Sequence, residues 1–199
     1  GSWLVKFRHT YDPKDMGIME YRYNEIARQC GITVPDFKLM DGKYFATKRF
    51  DMENGIRLHI ATAGALLNES ISQPKLEYKT LLHLTGYLTQ DPKQVDEMFR
   101  RMVFNVLTDN KDDHAKNFSF ICKEGGWSLA PAYDLTRCSN GYNGEHATSV
   151  NNHGNPTIDD MLVVGESIRI PQKRGREMIQ GIAEGCAEII SKDYISALK

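Results

Sequence analysis

Phe104-Asn105-Val106-Leu107-Thr108-Asp109-Asn110-Lys111-Asp112-Asp113-His114-Ala115-Lys116-Asn117-Phe118 is the stretch on which the fold turns. An apolar run enters it and another leaves it. Between them stand three carboxylates, two amides and two lysines. Asp112 is followed five residues later by Asn117, and a lone acid, Asp134, sits in Pro131-Ala132-Tyr133-Asp134-Leu135 beyond a further apolar segment. The pattern predicts a helix over 95–107, a turn carrying Asp112 and Asn117, and a strand over 117–122. Glu124-Gly125-Gly126 then reverses the chain into a second strand over 127–130. The hairpin returns Asp134 to the level of Asp112 and Asn117, so three oxygen donors converge from separated positions. Hard oxygens of this kind suit Mg²⁺. Clusters of Asn, Asp and Lys are mostly solvated loops. Here His114, Ala115 and Phe118 lie within the polar run, which predicts a packed loop.

An Asp, an Asn five residues on and a second Asp beyond a hairpin is the order in which protein kinases place a metal-assisted phosphotransfer site. More specifically, Phe104 to Leu107 with Asn110-x-Asp112-Asp113-His114-Ala115-Lys116-Asn117-Phe118-Ser119-Phe120 resembles the catalytic segment of the HipA-type serine/threonine kinases. Leu129-Ala130-Pro131-Ala132-Tyr133-Asp134-Leu135 resembles their metal-binding segment. Trp3-Leu4-Val5-Lys6-Phe7 resembles the strand that carries the nucleotide-contacting lysine. The helix that follows has Glu20 at the family's acidic position, Lys48-Arg49-Phe50-Asp51 resembles the strand leading into the hinge, and residues 156–186 resemble the helical C-terminal part. The glycine-rich loop expected before Lys6, and the strands flanking it, are not in the sequence.

The resemblance implies a role for each matching residue. Asp112 orients the acceptor hydroxyl and takes its proton, while Lys116 neutralises charge on the transferred group. Asn117 and Asp134 are the metal ligands. Lys6 contacts the nucleotide phosphates and is held by Glu20. Backbone groups around Lys48 to Phe50 meet the adenine edge, with Phe50 covering a ring face. His114 belongs with the cofactor-side residues and holds the loop by packing. ATP and Mg²⁺ are the implied cofactors. The implied partners are a protein substrate such as an aminoacyl-tRNA synthetase, a DNA-binding antitoxin, and a separate chain supplying the missing N-terminal part.

The residues themselves leave alternatives open. Lys6 also reads as a strand-edge lysine reaching solvent, although an ammonium in an apolar strand is costly unless paired. Glu25 lies on the same helix as Glu20. Phe50 also reads as a core aromatic. Asp113 competes with Asp112 as the base, and the five-residue offset to Asn117 assigns Asp112. His59 reads as a residue that supports the site or, more readily, as a partly buried histidine with one hydrogen bond. Arg169, Lys173, Arg174 and Arg176 read as a solvated helix face or as a partner surface.

Composition bounds the rest. The chain has 199 residues, a net charge of −1 and 41% hydrophobic residues. That charge gives no global drive toward nucleic acid, and direct nucleic-acid binding is not expected. A mean hydropathy of −0.47, with no apolar run of spanning length, predicts no membrane insertion. No signal peptide is visible. Cys30, Cys122, Cys138 and Cys186 form no C-x-x-C pair, which speaks against zinc and suits a reducing cytoplasm.

The expected fold is α+β and protein-kinase-like. Residues 1–51 form a partial N-lobe without the glycine-rich loop, and residues 52–199 form a mostly helical C-lobe. Within the N-lobe, 3–7 is a strand, 18–30 a helix, and Asp41-Gly42 turns a hairpin between 37–39 and 44–50. Helices are expected over 78–88, 95–107 and 175–190, interrupted only by the hairpin at Gly125, with a loop over 139–155. The expected function is transfer of the ATP γ-phosphate to a protein hydroxyl by a toxin-type kinase. A catalytically incomplete kinase-like binding module is the alternative. A metal-dependent phosphohydrolase using Asp112, Asp113, His114 and Asp134 would need a second histidine at ligand spacing.

Overall fold

A computed structural model describes residues 1–7, 13–69 and 76–197. Its first unit is a three-stranded antiparallel sheet backed by one helix. β1 (Trp3–Val5) and β2 (Phe37–Met40) flank β3 (Tyr44–Lys48), and α1 (Met16–Gln29) packs on the sheet. Trp3 lies opposite Lys48 and Phe37 opposite Thr47. The β2–β3 turn forms where the sequence predicts it. Asp41 and Gly42 both adopt positive φ, 50° and 67°, the combination that matches the twist of a tight hairpin. β1 ends one residue before Lys6, but the Lys6 N–H still bonds the Phe45 carbonyl at 2.9 Å, so the lysine stays in register with the sheet. Along α1 the buried positions Glu20, Tyr23, Asn24 and Ala27 recur at helical spacing, and Glu25 is exposed on the other face.

The second unit is built around α4 (Pro92–Leu107). Asp91 caps it by accepting from the Lys93 N–H at 2.9 Å, and Pro92 occupies the first turn, where its missing N–H costs nothing. Every residue from 101 to 107 is buried. Around α4 lie α3 (Tyr78–Thr89), α5 (Ile158–Ser167), α6 (Gln172–Gly185) and the short α7 (Lys192–Ile195). Phe99, Met102 and Phe104 pack with Tyr78, Leu81, Met161 and Ile179, and Tyr23 and Ile26 of α1 join the same core. α5 opens with a reciprocal cap: Thr157 accepts from the Asp160 N–H, and Asp160 accepts from the Thr157 N–H.

Three features after residue 51 correct the expectation of a helical run broken by one hairpin. β4 (Met52–Glu53) pairs with β5 (Ile56–Arg57) as a two-residue ribbon. β6 (His59–Thr62) pairs with β7 (Ser119–Lys123), which pairs with β8 (Gly126–Leu129). α2 (Ala63–Leu67) follows directly, capped by Thr62, whose side chain accepts from the Ala65 N–H at 3.1 Å. The partner of β6 lies some sixty residues away, so its strand character comes from non-local pairing. His59 is exposed and meets the Trp127 ring at 5.6 Å, in place of the partly buried, hydrogen-bonded histidine expected. Among the described residues no helix is long and apolar enough to cross a membrane.

Candidate active site

The loop that carries Asp112 is positioned by how α4 ends. Asp109 takes φ of 55°, the Asn110 N–H bonds the Asn105 carbonyl at 3.0 Å, and the Asn110 side chain donates to that of Asn105 at 2.9 Å. This left-handed C-terminal motif turns the chain out of the helix. The Lys111 N–H then bonds the Cys138 carbonyl, and the Cys138 N–H bonds that of Asp109, at 3.1 and 3.0 Å. The segment after Asp134 is thereby fastened beside the segment before Asp112. A single 3₁₀ turn, Ala115–Asn117, leads into β7.

Adjacent carboxylates have opposite fates. Asp113 is buried, with both side-chain oxygens engaged. One accepts from Tyr78 Oη at 2.8 Å and lies 2.9 Å from His146 Nδ1, and the other accepts from the Thr148 N–H at 3.3 Å. The Asp113 carbonyl accepts from Thr148 Oγ1. An acceptor hydroxyl has no access to it. Asp112 is half exposed, with His114 Nε2 3.7 Å from Oδ1. Partial burial raises its pKa; His114 opposes the shift, and Asp134 and Asp113 add to it. Asn117 Nδ2 donates to the Asp112 carbonyl at 2.8 Å, closing the loop and leaving the amide oxygen for another partner.

Lys6, Glu20 and Asp134 form the second cluster. Lys6 Nζ lies 2.6 Å from Glu20 Oε1 and also pairs with Asp134. Burial works against the charge on Lys6, but the two carboxylates outweigh it and its pKa is raised. At Glu20, which is buried, desolvation outweighs the attraction of Lys6 and the pKa also rises. The partners therefore differ: the environment favours the ammonium and strains the carboxylate. Asp134 adopts φ of 58°, a left-handed conformation that few residues other than Gly, Asn and Asp tolerate, where the chain leaves the β8 side.

A cavity of about 520 Å³ opens beside this cluster, lined by Leu4, Lys6, Phe45, Lys48 to Asp51, Tyr133 and Asp134. Phe50 faces Tyr133 across 5.4 Å. The Lys48 side chain turns to Asp36 at 3.2 Å, so Lys48 presents mainly backbone here. A separate groove of about 470 Å³ is lined by Asp112, His114 and Lys116 together with Gly64, Leu76 and Tyr142. The structure thus brings Lys6, Glu20, Lys48, Phe50 and Asp134 to one cavity and Asp112, His114 and Lys116 to the next. His114 stands on the groove side, away from the residues with which the sequence reading grouped it. Asn117 lies between, beside Tyr133 and Asp134 at a small polar recess.

Tyr133 is a site residue that the sequence reading passed over. Its hydroxyl bonds Ser119 Oγ at 2.7 Å and donates to the Lys116 carbonyl, so it ties the loop to the cavity wall. Its place in the Ala-Tyr-Asp run immediately before Asp134 was the available signal. His146 and Thr148 are others, and nothing local in a segment rich in Asn, Gly and Ser marked them.

The donors fit Mg²⁺ better than a transition metal. Among the described residues no three His, Cys, Asp or Glu side chains converge as a cage, which the phosphohydrolase reading requires. Mg²⁺ is held by one or two protein oxygens with phosphate and water supplying the rest. The Asp134 carboxylate and the Asn117 amide oxygen match that requirement.

A family described as the HipA-like C-terminal domain matches residues 1–190. Among curated proteins, Y4dM of Sinorhizobium fredii, proposed to be a kinase, is 29% identical over 172 residues, which is 76% of this chain and 41% of that protein. The serine/threonine-protein kinase toxin HipA of Shewanella oneidensis is 26% identical over 157 residues, 66% of this chain and 36% of that protein. The chain thus spans about two fifths of the relatives it matches. Among solved structures, HipA in the HipA, HipB and operator DNA complex of Shewanella oneidensis superposes with a TM-score of 0.77 at 20% identity, covering 98% of this chain and 55% of that one. That likeness bears on the fold, which is α+β and kinase-like.

Proposed function

The chain belongs to the HipA-like C-terminal domain family, and we propose that it forms the catalytic part of a serine/threonine protein kinase using Mg²⁺-ATP. One observation carries the reading: Lys6 is held between Glu20 and Asp134 at the mouth of a cavity walled by Phe50 and Tyr133. A lysine fixed by a helix carboxylate is how this chemistry keeps an ammonium on nucleotide phosphates.

In this reading the adenine enters between Phe50 and Leu4, against the backbone of residues 48–50. Asn117 and Asp134 hold Mg²⁺, which, when bound, offsets phosphate charge. The acceptor segment lies in the groove on the other side of Asp112. Asp112 orients its hydroxyl and takes its proton as the new oxygen–phosphorus bond forms and the bond to the leaving phosphate breaks. Partial burial raises the pKa of Asp112, which makes its carboxylate a better proton acceptor than an ordinary one. Lys116, exposed on the groove, offsets charge on the group in transit. A DNA-binding antitoxin is the proposed partner, because the Shewanella relative was solved with HipB and operator DNA. A protein substrate in translation, such as an aminoacyl-tRNA synthetase, and a cytoplasmic location belong to the same proposal.

Calorimetric titration with ATP, with and without Mg²⁺, tests it. Binding should require Mg²⁺ for full affinity, weaken on Lys6→Ala, and lose its metal dependence on Asp134→Ala while the melting transition persists. Metal-independent binding that ignores both substitutions would refute this placement of the site.

A further inference from the structure

Tyr133 touches both halves of the site. Its ring lines the cavity of about 520 Å³ and faces Phe50 at 5.4 Å, tilted by 32°. Its hydroxyl, at the other end, donates to the Lys116 carbonyl in the loop that carries Asp112. Resting on the kinase reading above, we propose that Tyr133 is a positioning residue that orders the loop over 112–117 when a nucleotide occupies that cavity.

The loop end of the contact is specific. The Tyr133 proton goes to a carbonyl, which can only accept, so the bond to Ser119 Oγ at 2.7 Å has Ser119 as donor. Ser119 is buried, and its backbone is held in the sheet, where its carbonyl accepts from the Ala130 N–H at 2.9 Å. The phenol oxygen is thus engaged from both sides. The peptide unit that joins Lys116 to Asn117 is planar. Tyr133 holds its oxygen, and the His114 carbonyl holds its N–H at 2.8 Å. That plane sets the direction of the Lys116 side chain, on the groove, and of the Asn117 side chain, which closes on the Asp112 carbonyl at 2.8 Å. One hydrogen bond therefore reaches three of the residues assigned to phosphate transfer.

The cavity end is rigid. A phenol oxygen lies in the plane of its ring, with no torsion that moves it independently, so whatever restricts the ring restricts the oxygen. The backbone beside it is fastened as well: the Ala132 N–H bonds the Thr33 carbonyl at 2.8 Å. A base seated on Phe50 narrows the motion of the facing Tyr133 ring, and the loop loses freedom with it. Ordering of this kind couples two sites without any change of mean structure. A tyrosine that only added stability would hold the loop equally with the cavity empty or full.

Hydrogen exchange over residues 108–119 tests this, with and without saturating Mg²⁺-ATP, on the unmodified chain and on Tyr133→Phe, which keeps the ring and loses the hydroxyl. Calorimetry alongside reports whether the nucleotide binds. In the unmodified chain Mg²⁺-ATP should slow exchange in the loop by about threefold to tenfold, the scale of one hydrogen bond. In Tyr133→Phe the nucleotide should bind within about threefold of the parent affinity, while the slowing falls below about twofold. Ser119→Ala, which lies outside the cavity, should lose part of the slowing. Slowing that survives in Tyr133→Phe, or that is absent from a parent that binds Mg²⁺-ATP, would overturn the coupling. So would a loss of affinity in Tyr133→Phe as large as its loss of slowing, since Tyr133 would then be cavity wall alone. A parent chain that binds no nucleotide would instead overturn the kinase reading beneath it.

Discussion

Replacing Asp113 by alanine should damage the protein far more than replacing Asp112, although the two are neighbours. The Asp113 carboxylate serves Tyr78 Oη, His146 Nδ1 and the Thr148 N–H, and all four residues are buried. Removing it leaves three polar groups without their partner in a site closed to solvent. An orphaned buried group costs about 1–3 kcal/mol. With some relaxation and water entering the space, Asp113→Ala should cost about 3–5 kcal/mol, a large part of the ~5–15 kcal/mol that holds a domain. Asp113→Asn keeps one acceptor oxygen and should cost less, about 1–3 kcal/mol. Asp112→Ala removes a half-exposed carboxylate that lies 3.7 Å from His114 Nε2, and stability should change by no more than about 0.5 kcal/mol. Urea unfolding followed by circular dichroism reads all three. With a slope of about 2 kcal/mol per molar, the Asp113→Ala midpoint should fall by roughly 2 M and the Asp112→Ala midpoint should barely move. If Asp113→Ala unfolds within about 1 kcal/mol of the parent, the buried network does not hold the loop. If Asp112→Ala unfolds as early as Asp113→Ala, the division between the two residues is wrong.

Asp112→Ala should abolish phosphate transfer to an acceptor protein while leaving Mg²⁺-ATP affinity within about twofold, because a residue that acts on the acceptor contributes mainly in the transition state; a comparable loss of affinity would move Asp112 to the nucleotide side. The raised pKa of Asp112 means that it keeps its proton to a higher pH than a free carboxylate, and the protonated form takes no proton from a hydroxyl. The acidic limb of kcat/KM against pH should therefore fall above 3.8, and a limb at or below that value contradicts the assignment. Gly17→Ala should cost about 1–3 kcal/mol, since the new Cβ meets backbone that cannot turn aside. Because Glu20 is one turn further along α1, the same change should weaken nucleotide binding. Gly181→Ala in α6, where nothing lies within 4 Å, should leave binding alone and stabilise by about 0.5–1 kcal/mol.

The sequence carried the order of the site more fully than its neighbourhood. The run from Phe104 to Phe118, the hairpin at Gly125 and the Asp-Gly turn at residues 41 and 42 are local statements, written in periodicity and turn chemistry. Those elements were legible. β6 was not, because the four residues His59 to Thr62 become a strand by pairing with β7, and no window around them contains that information. The start of α5 was legible and went unread: Thr157-x-x-Asp160 is a helix-opening pattern that the structure uses on both sides. The segment 139–155 has the composition of a loop and is one. What composition could not say is that it returns beneath the site, where Ser149 bonds the backbone of Leu76 and Tyr78 and places His146 and Thr148 against Asp113.

That return explains why Asp112 and Asp113 diverge. In an extended loop, consecutive side chains leave on opposite sides. α3 and the 139–155 segment close over one side, supplying Tyr78, His146 and Thr148 to the inner carboxylate, and the other side opens on the groove. A one-residue shift of the loop would exchange the two, burying the catalytic candidate and exposing the structural one. Register is resisted at both ends. Asn110 is tied to Asn105 by backbone and side chain at the exit from α4, and Asn117 closes on the Asp112 carbonyl at the entry to β7. The five-residue offset between Asp112 and Asn117 is therefore a mechanical requirement: it sets which of two identical side chains faces the groove lined by His114 and Lys116.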